Sequence, residues 1–210
     1  MLRELIDQFY RDSFNGRDRS YFYISDAGKC PRALYFQFKN IPCEKPDART
    51  LRVFDQGEHI HMRLTRVLFS LGIIRASEIR IPPSELIHGR ADAIIERDGK
   101  LFVVELKSSS GFKFRTLKNP QTDHIKQIQL YMHYFNIPDG IILYENKDDQ
   151  DLKEFPIDYD PELVNNLFRD FEILKQQIEK DIMPAIPKDI ESWRCRYCDY
   201  RHQCEKPSIS

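Results

Sequence analysis

The sequence predicts an α/β fold in which a mixed sheet is flanked by helices. Helical periodicity occurs before, between and after a group of strand-like segments. The pair Asp98-Gly99 separates two of these segments and is a strong signal for a hairpin turn. After Pro187 the chain is irregular and contains three of its 5 cysteines, which indicates a short metal-bound tail.

The composition is that of a folded protein. The 210 residues are 41% hydrophobic and 31% charged, which excludes disordered and collagen-like chains and small disulfide scaffolds. We predict a single domain over residues 1–210, with a helical part at 1–75, a sheet core at 76–160, and a helix with a cysteine tail at 161–210. The first residues mix acids with apolar side chains, so we do not expect a signal peptide there, and no apolar run approaches the ~18 residues of a membrane helix. We therefore expect a cytoplasmic protein without a membrane partner.

Periodicity and turn signals locate each element in order. The predicted helices lie at residues 2–14, 25–37, 48–70 and 121–135, and from Pro161 onward. The predicted strands lie at residues 78–81, 88–96, 100–108, 140–144 and 152–157. The hairpin turn makes the second and third strands antiparallel neighbours.

The net charge of −1 gives no global attraction to nucleic acid, so any DNA contact must come from a local patch. Residues 107–126 form one such patch, with five basic residues and the single acid Asp123, whereas residues 145–160 are strongly acidic. A charge run is by itself usually a solvated face, so these segments alone do not decide the function.

The hairpin brings two carboxylates together. A two-residue turn pairs Arg97 with Lys100, and this register places Asp92 opposite Glu105. Lys107 shares that face because side chains repeat with period two along a strand. Like charges at paired positions are destabilising, and the flanking residues are apolar on both faces, as in a covered strand.

A divalent cation such as Mg²⁺ would relieve this repulsion, since it binds one or two carboxylates and keeps several waters. Lys107 could neutralise charge near the ion or orient a water. Two acids, a lysine and an oxygen-bound metal suit phosphoester hydrolysis. The alternative is a surface hairpin in which Glu105 only pairs with Lys107 or another neighbour.

Five short motifs together resemble one family. Gly89-Arg-Ala-Asp92 and Val104-Glu105-Leu-Lys107 resemble the core motif of PD-(D/E)XK nucleases. Gly57-Glu-His-Ile-His61 and Gln127-Ile-Gln-Leu-Tyr131 are similar to the helix motifs of the RecB-like branch. Cys30-Pro-Arg-Ala-Leu-Tyr-Phe, together with Cys195-x2-Cys198-x5-Cys204, is similar to the split iron–sulfur cysteines of AddB and of the CRISPR-associated RecB-like exonucleases. The resemblance implies a restriction-endonuclease-like sheet closed by a C-terminal iron–sulfur staple.

The resemblance also implies the metal ligands. His61 would join Asp92 and Glu105, and the Leu106 carbonyl would add a further ligand, in a site that suits Mn²⁺ as well as Mg²⁺. Two alternatives are that His61 packs in the core and that His59 is the relevant histidine.

The remaining site residues are expected to contact DNA. Gln127 and Tyr131, four residues apart on one helix face, would contact phosphates beside the metal, whereas Gln129 and a purely structural Tyr131 are the alternatives. The basic residues expected to guide the phosphate backbone are Lys113, Arg115, Lys118 and Lys126.

Four cysteines are implied as ligands of a [4Fe-4S] cluster: Cys30, Cys195, Cys198 and Cys204. Cys43 is the spare thiol, and His202 leaves a Cys3His zinc site open as the alternative.

The sequence thus predicts a metal-dependent DNA exonuclease that acts on single-stranded ends. CRISPR adaptation, recombination and viral DNA processing are the settings considered, with other nuclease, helicase or CRISPR adaptation subunits as candidate partners. The alternatives are a non-catalytic DNA-binding or assembly subunit that keeps the nuclease fold, and a restriction-type endonuclease, against which the four cysteines argue.

Overall fold

The structure is a computed structural model that describes residues 1–14, 19–188, 190 and 192–205. In chain order its helices are α1 (Leu2–Ser13), α2 (Pro31–Phe38), α3 (Ala48–Ser70), α4 (Gly111–Thr116), α5 (Thr122–Phe135), α6 (Pro161–Glu179), α7 (Ser192–Arg196) and α8 (Arg201–Glu205). Its strands are β1 (Phe22–Tyr23), β2 (Ile74–Arg80), β3 (Ile87–His88), β4 (Arg90–Arg97), β5 (Lys100–Ser109), β6 (Asp139–Asn146) and β7 (Leu152–Asp158). None of the helices in these ranges is long and apolar enough to span a lipid bilayer.

The predicted mixed sheet is confirmed. Five strands lie side by side in the order β2-β4-β5-β6-β7, and only the central pair, β5 with β6, is parallel. The hairpin β4–β5 follows the predicted register from Arg97 opposite Lys100 to Ala93 opposite Val104. A second, two-residue parallel pair joins β1 to β3.

The chain forms two compact units. The first comprises residues 1–20, 29–52 and 170–210 and contains all the cysteines, and the second comprises residues 21–28 and 53–169 and contains the sheet. In the first unit the Tyr35 hydroxyl donates to Asp181 at 2.7 Å, and Arg32 Nε donates to the Pro184 carbonyl at 2.8 Å. These bonds connect α2 to the chain after α6.

Helices lie on both faces of the sheet in the second unit. On one face, apolar side chains of α3 pack on β4 and β5 in a buried cluster of Ile60, Leu64, Ala93, Ile95, Val104 and Leu106. On the other, Ile128 and Met132 of α5 lie so close to Gly140 that a Cβ there would approach Met132 Sδ to 2.7 Å. Alternation along β5 directs Glu105 and Lys107 away from the α3 cluster.

Several predicted boundaries were wrong. Residues 88–96 are not one strand, because Gly89 separates β3 from β4. Ser25-Asp26 does not cap α2; residues 24–26 form a 3-10 turn in which Asp26 accepts the Tyr23 N–H at 2.9 Å, and α2 begins at Pro31, whose fixed φ suits the first helical position. The predicted first strand begins earlier, at Ile74, because it pairs with β4 from that residue.

Sequence periodicity also missed the shortest elements. Strand β1 has two residues and helix α4 has six, which is too short for a periodic pattern. The tail predicted as irregular contains α7 and α8, each a little over one turn long.

Gly89 is required because the chain passes against a buried side chain. A Cβ on Gly89 would lie 2.7 Å from Ile24 Cδ1, and Ile24 is fully buried. We expect Gly89→Ala to destabilise the protein by about 1–3 kcal/mol through overpacking. Urea unfolding of the two proteins would measure the difference.

The matched control is Ile24→Val, which opens space at the same contact. In the Gly89→Ala background, Ile24→Val should lower the free energy of unfolding by less than it does in the wild type, because the smaller side chain relieves the clash. Additive effects of the two substitutions would contradict a direct clash.

Candidate active site

The fold brings the predicted catalytic residues together in the second unit. They come from four elements: His61 from α3, Asp92 from β4, Glu105, Leu106 and Lys107 from β5, and Gln127 and Tyr131 from α5.

The Asp92 carboxylate lies where the hairpin ladder ends. The last pair of the ladder is Ala93 with Val104, and one residue further Asp92 Oδ2 accepts the backbone N–H of Leu106 at 2.7 Å. This bond holds the carboxylate against β5, so the two acids of the predicted pair lie at the same point of the sheet.

Glu105 is a buried carboxylate with only one of its oxygens satisfied. It is 2% exposed, and its Oε1 accepts a hydrogen bond from Lys107 Nζ, while Oε2 has no partner among the described residues. Burial, with a smaller effect of Asp92, raises the pKa of Glu105 to about 7 although Lys107 opposes the shift. A buried anionic oxygen without a partner fits a ligand of a hard cation.

Lys107 forms an ion pair with this carboxylate. Its Nζ bonds Glu105 and also donates to Gln127 Oε1 at 3.2 Å. Burial lowers the pKa of Lys107, but the Glu105 carboxylate more than offsets burial and the net direction is upward. The ammonium is therefore charged at neutral pH and is held in place by two partners.

The structure directs His61, and not His59, toward the carboxylates. His61 Nδ1 lies 3.6 Å from Asp92 Oδ1, whereas the exposed His59 bonds the backbone oxygen of Asp55. Burial lowers the pKa of His61, but Asp92 and, less strongly, Glu105 make the net direction upward.

Gly57 lets α3 approach the sheet. A Cβ at Gly57 would lie 3.3 Å from Ser108 Oγ on β5, tighter than most Cβ contacts.

Tyr131 is buried and bonded to the protein backbone. Only 3% of it is exposed; its hydroxyl donates to the Arg90 carbonyl at 2.8 Å and accepts the Arg90 N–H at 3.3 Å. Burial raises its pKa. In this arrangement Tyr131 holds the backbone of β4 two residues before Asp92. Its contact with phosphate stays a prediction.

Gln129, which was considered as the alternative to Gln127, bonds the protein backbone instead. It is 2% exposed, and its amide joins Asp158 to Asp160 by bonds of 2.7 and 2.8 Å. Gln127, by contrast, touches Lys107 and so belongs to the site.

The four basic residues expected at DNA are not part of the carboxylate cluster. Lys113, Arg115 and Lys118 are exposed on α4 and the segment after it, and Lys126 is half-buried on α5.

In the first unit the thiols of Cys30 and Cys204 lie near the thiol of Cys198. Burial raises the pKa of the Cys198 thiol, and the nearby thiols of Cys30 and Cys204 add to the shift. Cys43 instead hydrogen-bonds the Tyr200 hydroxyl, which, after burial, is the second cause of the raised pKa of that tyrosine. His202 Nε2 lies 3.1 Å from Glu44 Oε1, so its ring contacts a carboxylate and not the thiols.

Within the described parts of the chain, no three His, Cys, Asp or Glu side chains converge closely enough to hold a metal ion. This holds for both predicted metal sites. The chemistry of the donors nevertheless fits: the carboxylate cluster has an unpartnered buried oxygen, and the thiol group has soft sulfur donors.

Sequence reasoning missed an ion pair beside the site. Arg63, two residues after His61 on α3, donates to the Glu145 carboxylate of β6, which is 1% exposed. This bond ties the helix that carries His61 to the sheet. The acidic run 145–160 contained no signal that distinguished Glu145 from its exposed neighbours.

The sequence profile of the PD-(D/E)XK nuclease superfamily matches residues 47–205. The chain belongs to this superfamily. The predicted family, the restriction-endonuclease-like fold and the nuclease class are thereby confirmed, whereas the iron–sulfur cluster stays a prediction. PD-(D/E)XK nucleases use divalent metal ions.

Known proteins resemble the chain over most of its length. The CRISPR-associated exonuclease Cas4 of Saccharolobus solfataricus is 26% identical over 197 residues, which cover 90% of this chain and 89% of that protein. The crystal structure of SSO0001 has a TM-score of 0.63 at 22% identity and covers 98% of this chain and 96% of its own. The exonuclease LHK-Exo of Laribacter hongkongensis, in complex with dAMP, has a TM-score of 0.57 at 17% identity and covers 78% of this chain and 90% of its own.

The raised pKa of Glu105 makes a prediction for the metal-free nuclease. The folded state binds this proton more tightly than the unfolded chain, so Glu105 contributes most to stability below pH 4.5, and this contribution is lost as the pH rises to about 7. We expect Glu105→Gln to flatten this part of the profile. Urea unfolding in EDTA at constant ionic strength measures the slope.

Glu96→Gln on β4 is the control. Arg75 lowers the pKa of Glu96, so the contribution of Glu96 to stability changes with pH in the opposite direction to that of Glu105. That variant should keep the fall in stability toward pH 7. An unchanged slope in Glu105→Gln would show that this carboxyl titrates normally.

Proposed function

We propose that the protein is a divalent-metal-dependent DNA exonuclease that acts on single-stranded ends. The observation that carries the proposal is the buried Glu105 carboxylate with an unpartnered oxygen, next to Asp92 and Lys107. Membership of a nuclease superfamily and the likeness to a relative named as an exonuclease support it.

His61, Asp92 and Glu105 would hold Mg²⁺ or Mn²⁺, with the Leu106 carbonyl as a further ligand. When bound, the ion lowers the pKa of a coordinated water and stabilises the charge that grows on the phosphate. An imidazole beside two carboxylates is compatible with either metal.

The protein's own groups position the reactants. Lys107 carries a positive charge at neutral pH and is suited to orient the attacking water and to bind a phosphate oxygen. Gln127 fixes the Lys107 ammonium through its side-chain oxygen. Tyr131 fixes the backbone of Arg90 and thereby the start of the strand that carries Asp92.

DNA binding would depend on basic residues outside the carboxylate cluster. Lys113, Arg115, Lys118 and Lys126 lie on α4, on α5 and in the segment between them, on elements that follow β5 directly. Contacts to phosphates are independent of sequence and weaken with salt, as an enzyme that degrades any strand requires.

A non-catalytic DNA-binding or assembly subunit is the less favoured function, because every position of the catalytic motif is filled and Lys107 contacts the catalytic acid. The similarity to a protein named as CRISPR-associated favours CRISPR adaptation over recombination or viral DNA processing as the setting. Other subunits of such a system are the candidate partners.

We also propose that Cys30, Cys195, Cys198 and Cys204 bind a [4Fe-4S] cluster. The proximity of Cys30 and Cys204 to Cys198 and the separate bond of Cys43 to Tyr200 support this choice of four. The cluster would connect α2 to the C-terminal helices as a structural staple.

Glu105→Gln and Asp92→Asn should each abolish cleavage of single-stranded DNA in Mg²⁺ or Mn²⁺, because each removes a negative ligand. DNA binding in EDTA should be largely retained, since phosphate contacts come from other side chains. A gel assay of cleavage and fluorescence anisotropy of binding test the two expectations. Glu96→Gln is the control and should cleave normally.

A thermal melt gives a readout independent of activity. Mg²⁺ or Mn²⁺ should raise the Tm of the wild type by mass action, and the increment should shrink in Glu105→Gln. Cleavage that persists in either carboxylate variant, or an unchanged metal increment, would place the metal elsewhere.

Protein purified without oxygen should be brown and contain iron. Cys30→Ser, Cys195→Ser, Cys198→Ser and Cys204→Ser should each lower the iron content, whereas Cys43→Ser should leave it unchanged. Elemental analysis and the visible absorption spectrum measure this. A colourless protein with stoichiometric zinc and no iron would replace the cluster by a zinc site.

A further inference from the structure

Phe112 on α4 is 74% exposed, on the helix that directly follows the catalytic strand β5. Single exposed apolar residues are common on protein surfaces, so exposure alone assigns no role. Phe112 becomes a candidate for contact with the substrate because α4 lies close to the proposed catalytic residues.

The sheet register places α4 over the face that carries Lys107. Lys107, Tyr144 and Lys153 are successive partners across β5, β6 and β7, so their side chains share one face. From that face Lys153 Nζ donates to the backbone oxygens of Phe114 and Leu117 at 2.6 and 3.0 Å. The C-terminal turn of α4 is therefore bound to the catalytic face.

The helix is firmly anchored there. Phe114 is 4% exposed, and Lys153 Nζ lies 4.6 Å from the centre of its ring. A surface that is rigid before binding loses less conformational entropy when a ligand binds. Helix α4 thus presents its outer side chains in a fixed arrangement.

Helical geometry directs Phe112 outward. It precedes the buried Phe114 by two residues, which is about 200° around the helix, so its ring points away from the sheet. Lys113 and Arg115, both exposed, flank it on the two sides. Ser110, the residue before α4, lies about 10 Å along the chain from Lys107, so the helix begins close to the proposed site of cleavage.

We propose that Phe112 is a stacking platform for a nucleobase of single-stranded DNA, while Lys113 and Arg115 hold the neighbouring phosphates. The inference rests on the proposed exonuclease function and adds a contact with the base to contacts that otherwise involve phosphates. Every base has a π face, so such a platform accepts any sequence. This suits an enzyme that removes nucleotides one after another from the end of a strand.

Binding in EDTA tests the platform without cleavage. The two probes are an oligothymidylate and a strand of the same length and charge whose bases are all removed. Wild type should bind the strand with bases roughly 5- to 100-fold more tightly, the range expected for stacking of one base on an aromatic ring. Phe112→Ala should lose most of this preference, and Phe112→Trp should keep it.

Two variants separate stacking from other effects. Leu101→Ala removes an exposed apolar side chain at the far end of β5 and should leave the preference unchanged. Lys113→Ala should weaken both probes alike and reduce the salt slope by about 0.7, whereas Phe112→Ala should leave the salt slope unchanged. In cleavage assays Phe112→Ala should raise KM with little change in kcat.

A preference for bases that survives in Phe112→Ala would overturn the platform. Equal binding of both probes by the wild type would also overturn it, but would leave the nuclease proposal standing. Failure of the wild type to bind either probe would overturn single-stranded DNA as the substrate together with the platform.

Discussion

The buried carboxylate of Glu105 is the constraint on which the arrangement of the site depends. A charge that is 2% exposed needs compensation, and Lys107 supplies it to only one of the two oxygens. The second oxygen has no hydrogen-bond partner in the part of the chain that the structure describes, and Asp92 adds a further negative charge nearby. Burial of unpaired charge is costly, so this arrangement lowers the stability of the metal-free fold, and the proposed cation would offset that cost.

The surrounding residues hold that charge in a fixed geometry. Asp92 is bonded to the backbone of β5, Gln127 holds the ammonium of Lys107, and Tyr131 holds the strand that leads to Asp92. The Arg63–Glu145 ion pair secures α3, which carries His61. Most of these contacts are to backbone or to other members of the site, so the substitution of one residue would loosen its neighbours as well.

The two compact units contain different candidate sites. The second contains the sheet and the residues proposed to be catalytic, and the first contains all the cysteines. A metal centre built from the cysteines would therefore stabilise a part of the protein that contributes no side chain to the proposed reaction. Loss of activity on loss of such a centre would report on folding and not on chemistry.

Much of the site could be predicted from the sequence because its geometry is local. The Asp98-Gly99 turn determines the hairpin register, and the register determines that Asp92 and Glu105 meet at one point of the sheet with Lys107 close by. The spacing of four between Gly57 and His61, and between Gln127 and Tyr131, places each pair on one helix face wherever the helix packs. The long helices α3 and α6 were likewise located by their periodicity.

Only the tertiary structure decided the contacts between residues that are distant along the chain. It showed that Gly89 passes against Ile24 and splits a predicted strand, that Tyr131 bonds backbone, and that Lys153 anchors α4 on the catalytic face. It also distinguished Glu145, which pairs with Arg63, from the exposed acids around it. Hairpin register and helix periodicity are properties of neighbouring residues, whereas the partner of a buried charge depends on how separate elements pack, which no local pattern contains.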